Sequence, residues 1–203
     1  MKILIKFALI IAALPSNAFA DDIEEKLAKS TPSAVIGSID ATLTVSVFFD
    51  PTCSMCQYFS IEVLPTLYKE FVETKKLRFH FYDFPLSQFG VGPMLLNGLS
   101  CITASLKDES RKDDSIMKYL EASVQARRIG VVNYKALAKS AEVEELKFSQ
   151  CVEQSLHAER TSVHEALGTK LGVGGVPTFF IGAEKLEGVL PLDGMREILK
   201  KHL

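Results

Sequence analysis

Residues 42–49 alternate along the chain. Leu43, Val45, Val47 and Phe49 fall on one face, and Thr42, Thr44 and Ser46 on the other. A period of two carried by β-branched and aromatic residues predicts a strand. Phe48 breaks the polar face, so both faces are covered near the strand's end, as in a central strand. Asp50–Pro51–Thr52 closes it. Phe59, Val63, Leu67 and Phe71 then recur every four residues, with Glu62, Lys69 and Glu70 elsewhere on the wheel. This predicts a helix that Pro65 kinks but does not end, because the period continues beyond it. Leu77, Phe79 and Phe81 alternate with Arg78, His80 and Tyr82, a second strand ending at Asp83–Phe84–Pro85. Strand, helix, strand is the unit from which parallel sheets are built.

From residue 88 to about 171 the character changes. Gly90, Gly92 and Pro93 punctuate a loop, and helices are predicted over 94–106, 113–128, 133–141, 143–154 and 156–170. Asp113 reads as the N-cap of the second of these, and Lys107 to Asp114 as a solvated connection. The glycine-rich run 172–177 leads into an apolar strand at Thr178–Ile181. Gly182 to Lys185 forms a hairpin turn, Leu186 to Leu190 a further strand, and residues 191–203 a terminal helix with Pro191 in its first turn. Upstream, Asp22 to Lys29 forms a short helix stopped by Ser30–Thr31–Pro32. The layout is a small mixed α/β sheet whose two halves are separated by a helical insertion.

The N-terminus reads as an address. Lys2 and Lys6 precede an apolar run from Phe7 to Leu14, Pro15 breaks it, and Ala18–Phe19–Ala20 offers small residues at the positions a signal peptidase reads. The run is well short of the roughly 20 residues that cross a bilayer. Residues 1–20 are therefore expected to be a signal peptide cleaved after Ala20, leaving one domain over 21–203 in the periplasm. Cleavage removes two of the 23 basic residues and none of the 25 acidic ones. A mildly acidic chain without basic clusters gives no reason to expect a nucleic acid partner.

All four cysteines, Cys53, Cys56, Cys101 and Cys151, follow the cleavage site, and an even count in an exported protein permits disulfides. Cys53 and Cys56 lie where the first strand hands over to its helix. Sulfurs three positions apart on a first turn are close enough to bridge. The free N–H groups and the dipole of a helix start stabilise a thiolate there, the reacting form in disulfide exchange. Zinc uses the same spacing but needs about four ligands, commonly a second close pair, and none is present. Redox chemistry is the favoured reading; a zinc site and a plain structural bridge are the alternatives. No cofactor and no metal are expected.

Phe48–Phe49–Asp50–Pro51–Thr52–Cys53–Ser54–Met55–Cys56, the helical insertion and residues 172–182 (Gly-Val-Gly-Gly-Val-Pro-Thr-Phe-Phe-Ile-Gly) together resemble the bacterial DsbA-type thiol–disulfide oxidoreductases. The resemblance covers essentially the whole chain after Ala20. It implies a thioredoxin fold with a helical insertion, catalytic Cys53 and Cys56, and a cis Pro177 beside them. It also implies that the backbone of Val176 pairs with an extended substrate. Cys101 and Cys151 fall where some members carry a second, non-catalytic disulfide. The implied activity is disulfide formation in reduced or misoxidised exported proteins by a monomer that a membrane-bound, quinone-linked partner reoxidises. The alternatives are a reductase or isomerase of the same fold, or a redox-inert periplasmic binding or chaperone module.

Two departures bear on direction. Ser54–Met55 stands where the best-known oxidases have Pro–His, which implies a less acidic cysteine and a weaker oxidant. Disulfide isomerases of the superfamily carry an N-terminal dimerisation domain, for which the short stretch after Ala20 leaves no room, and Val176 in place of Thr also resembles the oxidases. Asp50–Pro51–Thr52 looks more like the isomerase side. Asp50 and Asp83 are expected to be solvated strand ends, the alternative being a buried carboxylate that exchanges protons with Cys56. His80 falls on a strand's polar face, His157, His164 and His202 on solvated helix positions, and none is expected to have a role.

Overall fold

The computed structural model describes residues 16–106, 108–129 and 132–203. The expected signal sequence therefore lies mostly outside the described residues. Helix α1 (Ser16–Ala28) leads to a short strand β1 (Ala34–Ile36) and then to β2 (Leu43–Phe49). After the turn at 50–53, α2 (Ser54–Tyr58) passes through a wide π turn (Phe59–Val63) into α3 (Leu64–Leu67) and a second π turn (Tyr68–Val72). The helical run thus crosses Pro65, as its periodicity demands. Proline lacks the N–H of a regular helix and crowds the carbonyl four residues back, and the wider turn upstream supplies the room. Strand β3 (Leu77–Asp83) follows.

The insertion is α4 (Val91–Ser105), α5 (Glu109–Ile129), α6 (Tyr134–Ser140), α7 (Glu145–Glu153) and α8 (Ala158–Lys170). Strands β4 (Thr178–Ile181) and β5 (Glu184–Glu187) and helix α9 (Leu192–His202) complete the chain. The sheet runs β1-β3-β2-β4-β5, with β2 and β3 parallel and every other pair antiparallel. Central β2 pairs Val47 with Phe81 on one side and with Phe179 on the other.

Alternation sorts the side chains into two cores. Val45, Val47, Phe49, Phe79, Phe81, Phe179 and Ile181 face the larger one, with Phe59, Val63, Leu64, Leu67, Met195 and Leu199. Phe48, Tyr82 and Phe180 face the other way, under Ile23 and Leu27 of α1 and beside Val173. Phe48 has ring neighbours there at 5.3 Å (Tyr82) and 5.8 Å (Phe180), which is why an apolar residue breaks the polar face of β2. Helix α8 closes on this side because Gly168 has no side chain; a Cβ there would lie 2.8 Å from the Phe84 ring.

Several expectations need correction, among them Gly92 and Pro93, which lie in the first turn of α4 rather than in a loop. Strand β1 was not foreseen. Helix α5 begins at Glu109, so Asp113 is inside it and caps nothing: both its carboxylate oxygens lie 3.0 Å from Gly37 N–H, anchoring α5 to the end of β1. Asp108 is the residue that accepts at the helix start, from Ser110 N–H (2.9 Å) and hydroxyl (2.6 Å). The charged stretch 108–114 is thus mostly helix, and Arg111 pairs with Glu142. Finally, β5 is Glu184–Glu187, not Leu186 to Leu190. The turn is only Gly182–Ala183, with Gly182 at φ +56°, which suits glycine at the first central position of a two-residue hairpin.

Candidate active site

Strand β2 ends at Phe49, and the four residues that follow turn the chain into α2. Cys53 is the N-cap, with extended backbone (φ −76°, ψ 130°), and its N–H bonds to Asp50 O at 3.0 Å. Being an N-cap, it holds its sulfur before the free N–H groups of Met55 and Cys56. Cys56, one turn on, points into the core and is fully buried, whereas Cys53 is partly exposed. The structure shows both as free thiols.

Position makes the two sulfurs unequal. The Cys56 thiol and the backbone N–H groups of Cys56 and Met55 bond to Cys53 and bring its pKa down to about 6, against burial and the nearby Asp50 charge. Burial, first, and donation to Cys53 push Cys56 well above the ordinary thiol value. Exchange requires this division of labour: one accessible sulfur that is ionised near neutrality and one hidden sulfur that keeps its proton.

The loop before β4 supplies the opposite wall. The Val176–Pro177 bond is cis, and the Val176 carbonyl accepts from the Cys53 thiol at 3.1 Å across 123 residues of sequence. The residues singled out in sequence as Cys53, Cys56, Val176 and Pro177 therefore meet at one end of the sheet. Cys101 and Cys151 do not join them. They form a disulfide (S–S 2.02 Å, Cα–Cα 6.0 Å) between α4 and α7 in the insertion. Asn97, one turn before Cys101, braces the same seam: it donates to Val152 O (3.2 Å) and accepts from His157 N–H (2.9 Å).

Three polar residues were misjudged in the sequence. Asp50 and Asp83 are not solvated strand ends but buried carboxyls at the ends of neighbouring strands β2 and β3. Asp83 accepts from the Thr161 hydroxyl at 2.8 Å, and burial pushes its pKa up to about 6. His164 is fully buried. Its Nδ1 accepts Asp83 N–H at 3.0 Å, so Nε2 carries the proton and donates to Thr31 O at 2.9 Å. Burial and Arg160 hold this imidazole down to about 4, neutral over the ordinary range. It is a structural cross-link between α8, β3 and the loop after α1, not a group of the site.

A family model described as thioredoxin matches residues 29–201. Disulfide bond formation protein D of Bacillus subtilis is 21% identical over 179 residues, covering 83% of this chain and 76% of that protein. Among solved structures, Chlamydia trachomatis DsbA superposes with a TM-score of 0.68 at 23% identity, over 85% of this chain and 91% of that one. The thiol–disulfide exchange protein alpha-DsbA2 of Wolbachia pipientis gives 0.69 at 16% identity, over 93% and 98%. The chain belongs to the thioredoxin family, with the fold of DsbA-type thiol–disulfide oxidoreductases.

Proposed function

We propose that this protein is a thiol–disulfide oxidoreductase that forms disulfides in exported proteins through Cys53 and Cys56. The observation that carries the reading is the inequality of the two sulfurs beside the cis Pro177 loop. A substrate thiolate attacks Cys53 Sγ of the oxidised pair, and the Cys53–Cys56 bond breaks. Cys56 leaves as a thiolate and takes up a proton, and a mixed disulfide remains on Cys53. The substrate's second thiolate then attacks its own bridged sulfur and expels Cys53. Two electrons have passed from substrate to enzyme, which ends as the Cys53–Cys56 dithiol. A membrane-bound, quinone-linked protein takes those electrons. The backbone of Val176 receives the extended substrate segment once Cys53 no longer donates to its carbonyl.

Direction follows from the leaving group. A Cys53 pKa of about 6 stabilises the dithiol form and makes the disulfide an oxidant. Residues 1–20 serve as the signal, with cleavage after Ala20 and a monomeric periplasmic product.

The test uses two substrates: a reduced, unfolded multi-cysteine protein, and the same protein with scrambled bridges. Oxidised enzyme restores activity to the first and does little for the second. Efficient rescue of the scrambled protein by reduced enzyme, or a potential near about −270 mV as in thioredoxin, replaces oxidase by isomerase or reductase. Absence of turnover with both substrates leaves a binding or chaperone module.

A further inference from the structure

Asp50 lies three residues before Cys53, and its side chain is fully buried. Oδ1 accepts from both the N–H and the hydroxyl of Thr52, at 2.7 and 2.6 Å, and Oδ2 accepts from Leu86 N–H at 2.8 Å. The first turn of α4 packs against it: a Cβ on Gly92 would lie 3.5 Å from Oδ2 and from the Thr52 side chain. One carboxylate therefore ties the turn that presents Cys53 to the loop that leaves β3. Among the described residues its hydrogen-bond donors are neutral groups, and no cation pairs with it. Neutral donors solvate a buried charge but do not cancel its field, which in a poorly polarisable interior reaches neighbouring sulfurs.

We propose that Asp50 is a positioning residue of the exchange reaction, fixing the turn that presents Cys53 and, by its charge, limiting how strongly the pair oxidises. The inference rests on Cys53 and Cys56 being the redox pair. Its two effects oppose each other. The ordered turn sets Cys53 before the N–H groups of Met55 and Cys56, which favours the thiolate. The charge disfavours it, and both cysteines feel that charge as an upward push. The dithiol form, with its thiolate, is penalised by the carboxylate more than the neutral disulfide is.

The opposition makes the proposal testable by sign. Asp50→Asn keeps a side-chain oxygen for Thr52 and removes the charge. Titrating the thiolate absorbance of the reduced protein should give a Cys53 midpoint lower by about half a unit, and the glutathione equilibrium should shift about threefold toward the dithiol. Thr52→Val removes one donor and leaves the charge less offset, so its midpoint should rise, while Thr52→Ser, which keeps the hydroxyl, should match wild type. A rise in Asp50→Asn toward the free-cysteine value would show that only the turn matters and would overturn the proposal, as would an unchanged midpoint. If Asp50→Asn does not fold, equal midpoints in Thr52→Val and Thr52→Ser overturn it. If the pair does not exchange with glutathione at all, the functional reading fails first, and this inference fails with it.

Discussion

Two pairs of cysteines share one chain, and their surroundings give them opposite chemistry. Cys53 and Cys56 straddle the first turn of a helix, so one sulfur faces unsatisfied N–H groups and solvent while the other is enclosed by the core. Cys101 and Cys151 sit within α4 and α7, whose backbone donors there are spent on the helices themselves. Neither cysteine stands on the first turn of its own helix, and Cys101 is fully buried. A buried thiolate is a poor leaving group because desolvation disfavours its charge. Reactivity therefore follows from where each sulfur meets the backbone of a helix, and the second pair is left to hold α4 and α7 together.

The largest contrast should appear on removing single sulfurs. Cys53→Ser should reduce dithiol oxidation to background. Cys56→Ser, which keeps the attacking position but cannot resolve it, should accumulate mixed disulfides visible on non-reducing gels. Replacing Cys101 and Cys151 together by Ala should leave oxidation nearly intact but cost about 4 kcal/mol of stability in the chain-entropy picture, for a loop of 50 residues. A fall in melting temperature of about 10 °C is the expected reading. Loss of oxidation in the still-folded double variant would make the second pair a relay and end the contrast.

A smaller effect tests whether the insertion is held by packing as well. A Cβ at Gly98 would collide with Tyr119 Oη, where that hydroxyl donates to Leu95 O. Gly98→Ala should cost about 1–3 kcal/mol in denaturant titration without changing exchange. The finest measurement is the pH dependence of alkylation in the reduced protein. Cys53 should label ahead of Cys56, its rate rising with pH and levelling just above its pKa of about 6. The sign is that of a depressed thiol: the thiolate is lost as pH falls through 6. Equal labelling of the two sulfurs would remove the inequality on which the contrast stands.

Much of this was legible from periodicity. Strands β2, β3 and β4 and the helix behind Cys53 announce themselves because their apolar residues must meet a core at fixed spacing. The site followed from two short motifs at strand ends. What stayed hidden depends on distant partners. Asp113 has the chemistry of an N-cap, and its contact with Gly37, 76 residues earlier, is invisible in the local sequence. His164 looks like any polar helical residue until β3 and the loop after α1 close over it. Asp50 and Asp83 resemble solvated strand ends because nothing local reveals that the insertion packs down over them. Strand β1, three residues long, is too short to show a period at all.

The order of the cysteines along the chain carries its own consequence. Four cysteines allow three pairings, and this fold places the first beside the second while bonding the third to the fourth. A polypeptide threaded N-terminus first into an oxidising space, and joining each sulfur to the next one that arrives, reaches that arrangement directly. Crossed bridges require Cys53 or Cys56 to wait for a later arrival. In a thiol–disulfide oxidoreductase that emerges in this way, neighbours in order of arrival are already the partners that the fold requires.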